Sequence, residues 1–121
     1  MKEKAIDIGK KHEHEAADYL KSIKYKILEL NFKLLPIGEI DIIAKDKDTY
    51  VFVEVKYRKN NLYGTPAEFV TKTKQDKVIR TDLCYLKKNR IKSDFRFDVV
   101  SICGEEIEHI RNAFSGNRYY I

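Results

Sequence analysis

Asp41, Glu54 and Lys56 are the residues whose types and spacing bear most directly on chemistry. Glu54 and Lys56 lie two apart in "VFVEVKYR", Val51 to Arg58, whose Val/Phe content and alternation predict a β-strand. Val51, Val53 and Val55 then share one face, and Phe52, Glu54 and Lys56 share the other. "EIDIIA" predicts a strand just before it, and the polar "KDKDT" between them predicts a turn, so the two strands form an antiparallel hairpin. With Asp46 to Thr49 as the loop, Lys45 pairs with Tyr50, Ile43 with Phe52, Asp41 with Glu54 and Glu39 with Lys56. The Cβ atoms of Asp41 and Glu54 are then roughly 4.5 to 5.5 Å apart. A slip of one residue would put them on opposite faces.

Two carboxylates this close repel, and each loses solvation on burial, so they need a positive partner or a proton. A hard divalent cation meets that need: Mg²⁺ takes oxygen ligands, keeps several waters and rests on one or two carboxylates plus a substrate phosphate. Lys56 points to the same face as Glu54, where it can hold or help deprotonate a water. Such a set can hydrolyse a phosphodiester. The competing structural reading is a cross-strand ladder in which Lys56 neutralises Glu54 or Glu39. One lysine does not satisfy three carboxylates, and the first helix adds a fourth, Glu13.

That helix is predicted from about Ile6 to Ser22, with Gly9, Glu13, Ala16 and Leu20 along the stripe facing the sheet. A strand follows at about Ile27 to Leu34, broken by Pro36 to Gly38. After the hairpin, Thr65, Pro66 and Glu68 match an N-cap, a first-turn proline and a capping-box glutamate. Thr71 restarts or bends the helix begun there, and Val78, Ile79, Leu83 and Leu86 form the buried stripe of a helix ending near "KKN". "FRFDVVSI" predicts another strand and "IEHIRNAF" a short last one. The expected order is one helix, three strands, one helix, then one or two strands. With no repeat, low-complexity tract or linker, residues 1–121 read as one domain.

The charge distribution points to a partner. The chain carries a net charge of +5, yet Lys56 to Arg96 alone holds 12 basic against 4 acidic residues, a cation field that suits a nucleic-acid backbone. Tyr57, Arg58, Lys59 and Tyr63 interleave rings and cations just beyond the Glu54 strand, as stacking and phosphate contacts would require. No apolar run approaches the roughly 20 residues of a membrane span, and "MKEKAIDIGKKHEHE" has no apolar signal core, so a cytoplasmic location is expected. Cys84 and Cys103 read as buried thiols rather than a disulfide framework. His12 and His14, two apart on a helix, do not face one another, His109 reads as an isolated structural histidine, and Asp98 as a partner for Arg96 or a helix end.

"GEIDIIAKD", "VFVEVKYR", "VTKTKQ" and "RFDVV" resemble, in order and spacing, the bacterial YraN family, which belongs to the restriction-endonuclease-like superfamily and is similar to archaeal Holliday-junction resolvases. The likeness runs from about Gly9 to Phe114. It implies an α/β fold with a mixed central sheet flanked by helices, a restriction-endonuclease-like core. It further implies a Mg²⁺- or Mn²⁺-dependent endonuclease acting on DNA, with branched or structured DNA among its expected substrates. By resemblance Asp41, Glu54 and Lys56 match the Asp…Glu-x-Lys catalytic motif, with Asp41, Glu54 and the Val55 carbonyl on the metal. Glu13 matches the acidic residue of the first helix, and Lys74 and Gln75 a phosphate-facing motif on the second. Arg58, Lys59, Lys74, Gln75 and Lys77 are the expected nucleic-acid contacts, and a homodimer is implied. Two positions depart from the family pattern: His12 and Lys24 stand where glycines are usual. The alternatives are a non-catalytic nucleic-acid-binding module and an RNA substrate.

Overall fold

The structure, a computed structural model, describes residues 5–58 and 71–114. Among them the element order is α1 (Ala5–Ser22), β1 (Lys26–Leu34), β2 (Gly38–Asp46), β3 (Thr49–Arg58), α2 (Lys72–Lys88), β4 (Phe95–Cys103) and β5 (Glu106–Phe114). The strands form one mixed sheet in the order β1-β2-β3-β4-β5, antiparallel except for the parallel β3–β4 pair that spans the α2 crossover. This is the mixed, helix-flanked α/β sheet the sequence predicts, with β5 a full nine-residue strand rather than a short one. The expected Thr65–Glu68 helix start lies outside the described residues. Thr71 is the N-cap of α2, its hydroxyl accepting from the Lys74 amide at 3.2 Å.

Alternation along the strands produces two cores. Ala16, Ala17 and Leu20 of α1 bury against Ile42, Ala44, Val51, Val53, Val100 and Ile102 on one face. Val78, Ile79, Tyr85 and Leu86 of α2 bury against Ile40, Ile43, Phe52 and Phe97 on the other. Phe52, 1% exposed, meets Tyr85 and Phe95 edge to face, an arrangement aromatic quadrupoles favour. Asp82, rather than Leu83, completes the deep stripe of α2: Asp82 is fully buried and Leu83 only partly so.

Both helices close with the same backbone device. At the end of α1 the Lys24 amide donates to the Lys21 carbonyl and the Tyr25 amide to that of Leu20, both at 3.0 Å. At the end of α2 Arg90 donates to Lys87 and Ile91 to Leu86. These are Schellman closures, which place one residue in the left-handed region, and Lys24 (φ 73°) and Arg90 (φ 55°) occupy it. The glycine usual at position 24 in the family pattern therefore has a conformational reason.

A buried polar network ties β4 and β5 beneath α1. The Asp98 carboxylate, with no exposed side-chain surface, accepts from Arg96 Nε at 3.1 Å and the Asn112 amide at 3.0 Å, and lies 2.7 Å from His109 Nε2. Arg96 also reaches Asp46 at 3.2 Å and the Tyr25 hydroxyl, and the Tyr19 hydroxyl lies 3.1 Å from His109 Nδ1. Arg96 does partner Asp98, as expected, but His109 is not isolated: the β4–β5 pairing, invisible in local sequence, brings it onto Asp98. The network holds Asp98 below the ordinary carboxylate range, its bonds to His109, Asn112 and Arg96 overcoming the cost of burial.

Candidate active site

The β2–β3 hairpin places the acidic pair. Its register is the expected one, with Lys45 opposite Tyr50 and Ile43 opposite Phe52, but Asp46 also pairs with Thr49, so the turn is the two residues Lys47 and Asp48. Lys47 has φ 57°, as tight hairpin turns require. The ladder ends at Ile42–Val53, so the expected Asp41–Glu54 and Glu39–Lys56 pairs are not part of it. The reason is a change of face in β2: Ile42 packs on the α1 side and Ile40 on the α2 side, although strict alternation would put them together. At the change of face the Asp41 side chain accepts the Val55 amide at 2.8 Å. The hairpin still brings the two carboxylates together, through a side-chain bond rather than a regular cross-strand pair.

Around this point the charges converge. Glu54, 11% exposed at its side chain, carries Lys74 of α2 as an ion pair and has Lys56 Nζ at 3.5 Å. Among the described residues no cation lies within ion-pairing distance of Asp41. Burial, then the charge of Glu54, raises the Asp41 carboxyl to about 7, although the Val55 hydrogen bond opposes the shift. Glu13 of α1 is raised too, chiefly by burial, with Glu39 and Glu54 adding repulsion that His14 and Lys10 partly offset. Burial and the neighbouring Lys74 lower Lys56, against the pull of Glu54. Lys74 moves the other way, because its contact with Glu54 outweighs its desolvation. Glu13, Asp41, Glu54, Lys56 and Lys74 thus share one electrostatic site assembled from α1, β2, β3 and α2.

The remaining expected residues lie around it. Val55 supplies the amide that fixes Asp41, and its carbonyl belongs to the same strand segment. Gln75 sits in the first turn of α2, its amide donating to the Thr71 carbonyl at 2.8 Å. Lys77 is two residues further, exposed, on a separate groove. Arg58 lines a cavity of about 220 Å³ with Ser101, Cys103, Glu106 and Glu108, two residues along β3 from Lys56. Lys59 and Tyr63 lie outside the described residues. The His12 ring stacks on Tyr57, centroids 3.9 Å apart and planes 13° from parallel. Both cysteines are free thiols, each partly buried. Asp82 was missed by the sequence reading. Its carboxylate is buried without a hydrogen-bond partner among the described residues, and burial, reinforced by the Glu54 charge, raises it well above the usual range. Its place four residues after Val78, on the buried stripe, was the signal that could have found it.

Among the described residues no three His, Cys, Asp or Glu side chains gather closely enough to form a ligand shell by themselves. Two hard carboxylates, Asp41 and Glu54, would be enough protein for a Mg²⁺ shell completed by water and a phosphate. The part-buried Asp41 beside Glu54, without a cation in ion-pairing distance among the described residues, is the observation that such a cation would fit.

Among the described residues no helix is long and apolar enough to cross a membrane. The model of a family described as "Uncharacterised protein family UPF0102" matches residues 12–102. A UPF0102 protein of a Sulfurihydrogenibium species is 46% identical over 108 residues, spanning 88% of this chain and 93% of its own. One from Francisella tularensis subsp. novicida is 45% identical over 111 residues (90% and 95%), and one from Thermodesulfovibrio yellowstonii 47% over 109 (90% and 96%).

Proposed function

The chain belongs to the UPF0102 family, and from the geometry of its acidic site we propose that it is a Mg²⁺- or Mn²⁺-dependent endonuclease that hydrolyses phosphodiester bonds in DNA, including branched or structured DNA. One observation carries this reading. A part-buried Asp41, with no cation in ion-pairing distance among the described residues, stands beside Glu54, and two lysines from different elements converge on that same glutamate. A purely structural ladder would neutralise its carboxylates and would not leave one of them raised to about 7. The resemblance to restriction-endonuclease-like proteins and the excess of cations between Lys56 and Arg96 support the same conclusion.

Asp41, Glu54 and the Val55 carbonyl would hold the metal, which when bound lowers the pKa of a coordinated water and neutralises charge on the phosphate. The Val55 amide holds one oxygen of the Asp41 carboxylate, which leaves the other free of that bond. Lys56, with its pKa lowered, holds the attacking water and takes up or returns a proton at Nζ at lower cost than an ordinary lysine. Lys74, kept charged by Glu54, turns to the scissile phosphate as the polyanion enters, with Gln75 beside it. Glu13 adds a further carboxylate on the α1 side. By the resemblance to the restriction-endonuclease-like superfamily, attack in line would leave a 3′-hydroxyl and a 5′-phosphate.

The second reading, a nucleic-acid-binding module without turnover, draws on the same two lysines, since they already neutralise Glu54. Labelled four-way junction, flap, single-stranded and linear duplex DNA, incubated with Mg²⁺ or Mn²⁺ and with EDTA, separates the two. The endonuclease reading expects metal-dependent cutting that Asp41→Asn abolishes. Binding of every substrate with no cutting would establish the module instead.

A further inference from the structure

The β1–β2 connection exposes apolar side chains that neither core uses. Leu35 is 83% exposed, and Leu30 and Ile37 on the same hairpin are 39% and 37% exposed. The tip is nonetheless held in place. A Cβ at Gly38 would come within 2.7 Å of Thr81 Oγ1, so only glycine lets the hairpin press this closely on α2, and the Thr81 hydroxyl itself donates to the Lys77 carbonyl at 2.8 Å. Between tip and helix runs an open groove of about 590 Å³, lined by Pro36, Ile37, Lys77, Arg80, Leu83 and Cys84. Its floor is apolar, its rim carries two exposed cations, and no acidic residue among those described lines it.

From Lys74, which ion-pairs with Glu54, the α2 surface leads through Lys77 to Arg80. Six residues of helix rise about 9 Å, the axial span of two to three phosphates on one strand of a duplex. The basic line therefore starts at the acidic site and ends beside the apolar tip, with phosphate-like spacing. We infer that Leu35 to Ile37 form a wedge that enters the base stack of duplex nucleic acid within about three nucleotides of the cut, while Lys77 and Arg80 grip the flanking phosphates. Minor-groove and architectural proteins combine cations with an inserted Leu, Ile or Pro in this way, unstacking a step to kink the duplex. A second copy of the chain is a poorer occupant, because a two-fold contact would set the rim cations against themselves. The inference rests on the nucleic-acid reading of the acidic site.

The test uses duplexes with 2-aminopurine at successive positions, bound in EDTA so that nothing is cut. The wild-type protein should raise fluorescence several-fold at one or two adjacent positions. Leu35→Ser should lose that rise at protein concentrations that saturate the duplex, while its melting temperature, as befits so exposed a residue, stays the same. Leu35→Phe should keep it. A Lys77→Ala, Arg80→Ala double variant should bind more weakly at every position and lose about two phosphate contacts from its salt dependence. Tight binding with no fluorescence rise anywhere, or an equal rise with Leu35→Ser, would overturn the wedge and leave the endonuclease standing. Conversion of a dimer to a monomer by Leu35→Ser in sedimentation would assign the tip to self-association instead. Failure to bind any duplex while junction, flap or single-stranded DNA is bound would overturn the wedge alone, and failure to bind any of them would overturn the nucleic-acid reading with it.

Discussion

Replacing Asp41 with asparagine should make the metal-free protein more stable while removing its activity. The Asp41 carboxyl goes from an ordinary 3.8 to about 7 in the folded protein, chiefly through burial and then through Glu54. A folded-state pKa raised above the unfolded one means that the folded chain binds the extra proton. The stability this confers is complete below about pH 4 and is lost as pH rises through 7. About three pH units at 1.36 kcal/mol each set an upper limit of ~4 kcal/mol on the cost of ionising Asp41. Sharing of the proton with Glu54 brings the expected value to about 2–4 kcal/mol. The Asp41→Asn side chain avoids that cost and still presents an oxygen to the Val55 amide. Urea denaturation in EDTA across pH 4.5 to 8.5 reads the difference directly, since groups common to both proteins largely cancel. The variant's advantage should be small at pH 4.5, grow to about pH 7 and level off, reaching roughly 10 °C in melting temperature. Mg²⁺ at a hundred times its Kd should then add about 2.7 kcal/mol to the wild type and almost nothing to the variant. A variant equal to or less stable than the wild type at pH 8.5 would show that Asp41 is neutralised within the fold, and the electrostatic case for a cation would fail.

Other substitutions probe the remaining charged groups and the helix ends. Lys56→Ala should bind DNA about as well as the wild type in gel shift yet lose on the order of 10²-fold or more in cleavage rate; equal cutting would remove Lys56 from the chemistry. Asp98→Asn breaks the buried Arg96–Asp98–His109 set and should cost about 3–5 kcal/mol at neutral pH. Because the Asp98 pKa is lowered, that cost should shrink as pH falls below the usual carboxylate range; a cost below 1 kcal/mol, or one that grows in acid, would contradict the network. Asp82→Asn should stabilise the protein increasingly as pH rises above the usual carboxylate range, since burial favours the neutral form of a side chain with no hydrogen-bond partner among the described residues, and a urea midpoint below that of the wild type at alkaline pH would refute this. Lys24→Gly should raise stability by about 0.5–1 kcal/mol, since its left-handed conformation strains any residue with a Cβ; a melting temperature unchanged or lowered would contradict the assignment.

What the sequence made legible was what depends on local period and punctuation. Alternation in Val51 to Arg58 located β3 and its faces, and Lys45 to Tyr50 fixed the hairpin register even though the turn proved two residues shorter. The convergence on Glu54 was legible only in part. Lys56 follows from the strand period, but Lys74 reaches Glu54 from α2 across the sheet face, a tertiary fact that periodicity does not contain. His109 was read as structural, but its partner was missed for the same reason, since only the β4–β5 pairing brings it onto Asp98. Asp82 was hidden by a composition rule: a stripe read as Val78, Ile79, Leu83 and Leu86 passes over an aspartate, and the fold buries it. The change of face at Asp41 has a physical logic that ties these cases together. A regular ladder would have committed the Val55 amide to a backbone carbonyl and left Asp41 as one member of a solvated pair. Giving that amide to the Asp41 side chain instead ends the ladder at Ile42–Val53 and turns the carboxylate inward beside Glu54. The departure from strand alternation therefore falls at the residue whose burial and charge the proposed chemistry requires, as expected where a site, rather than the sheet, dictates the local geometry.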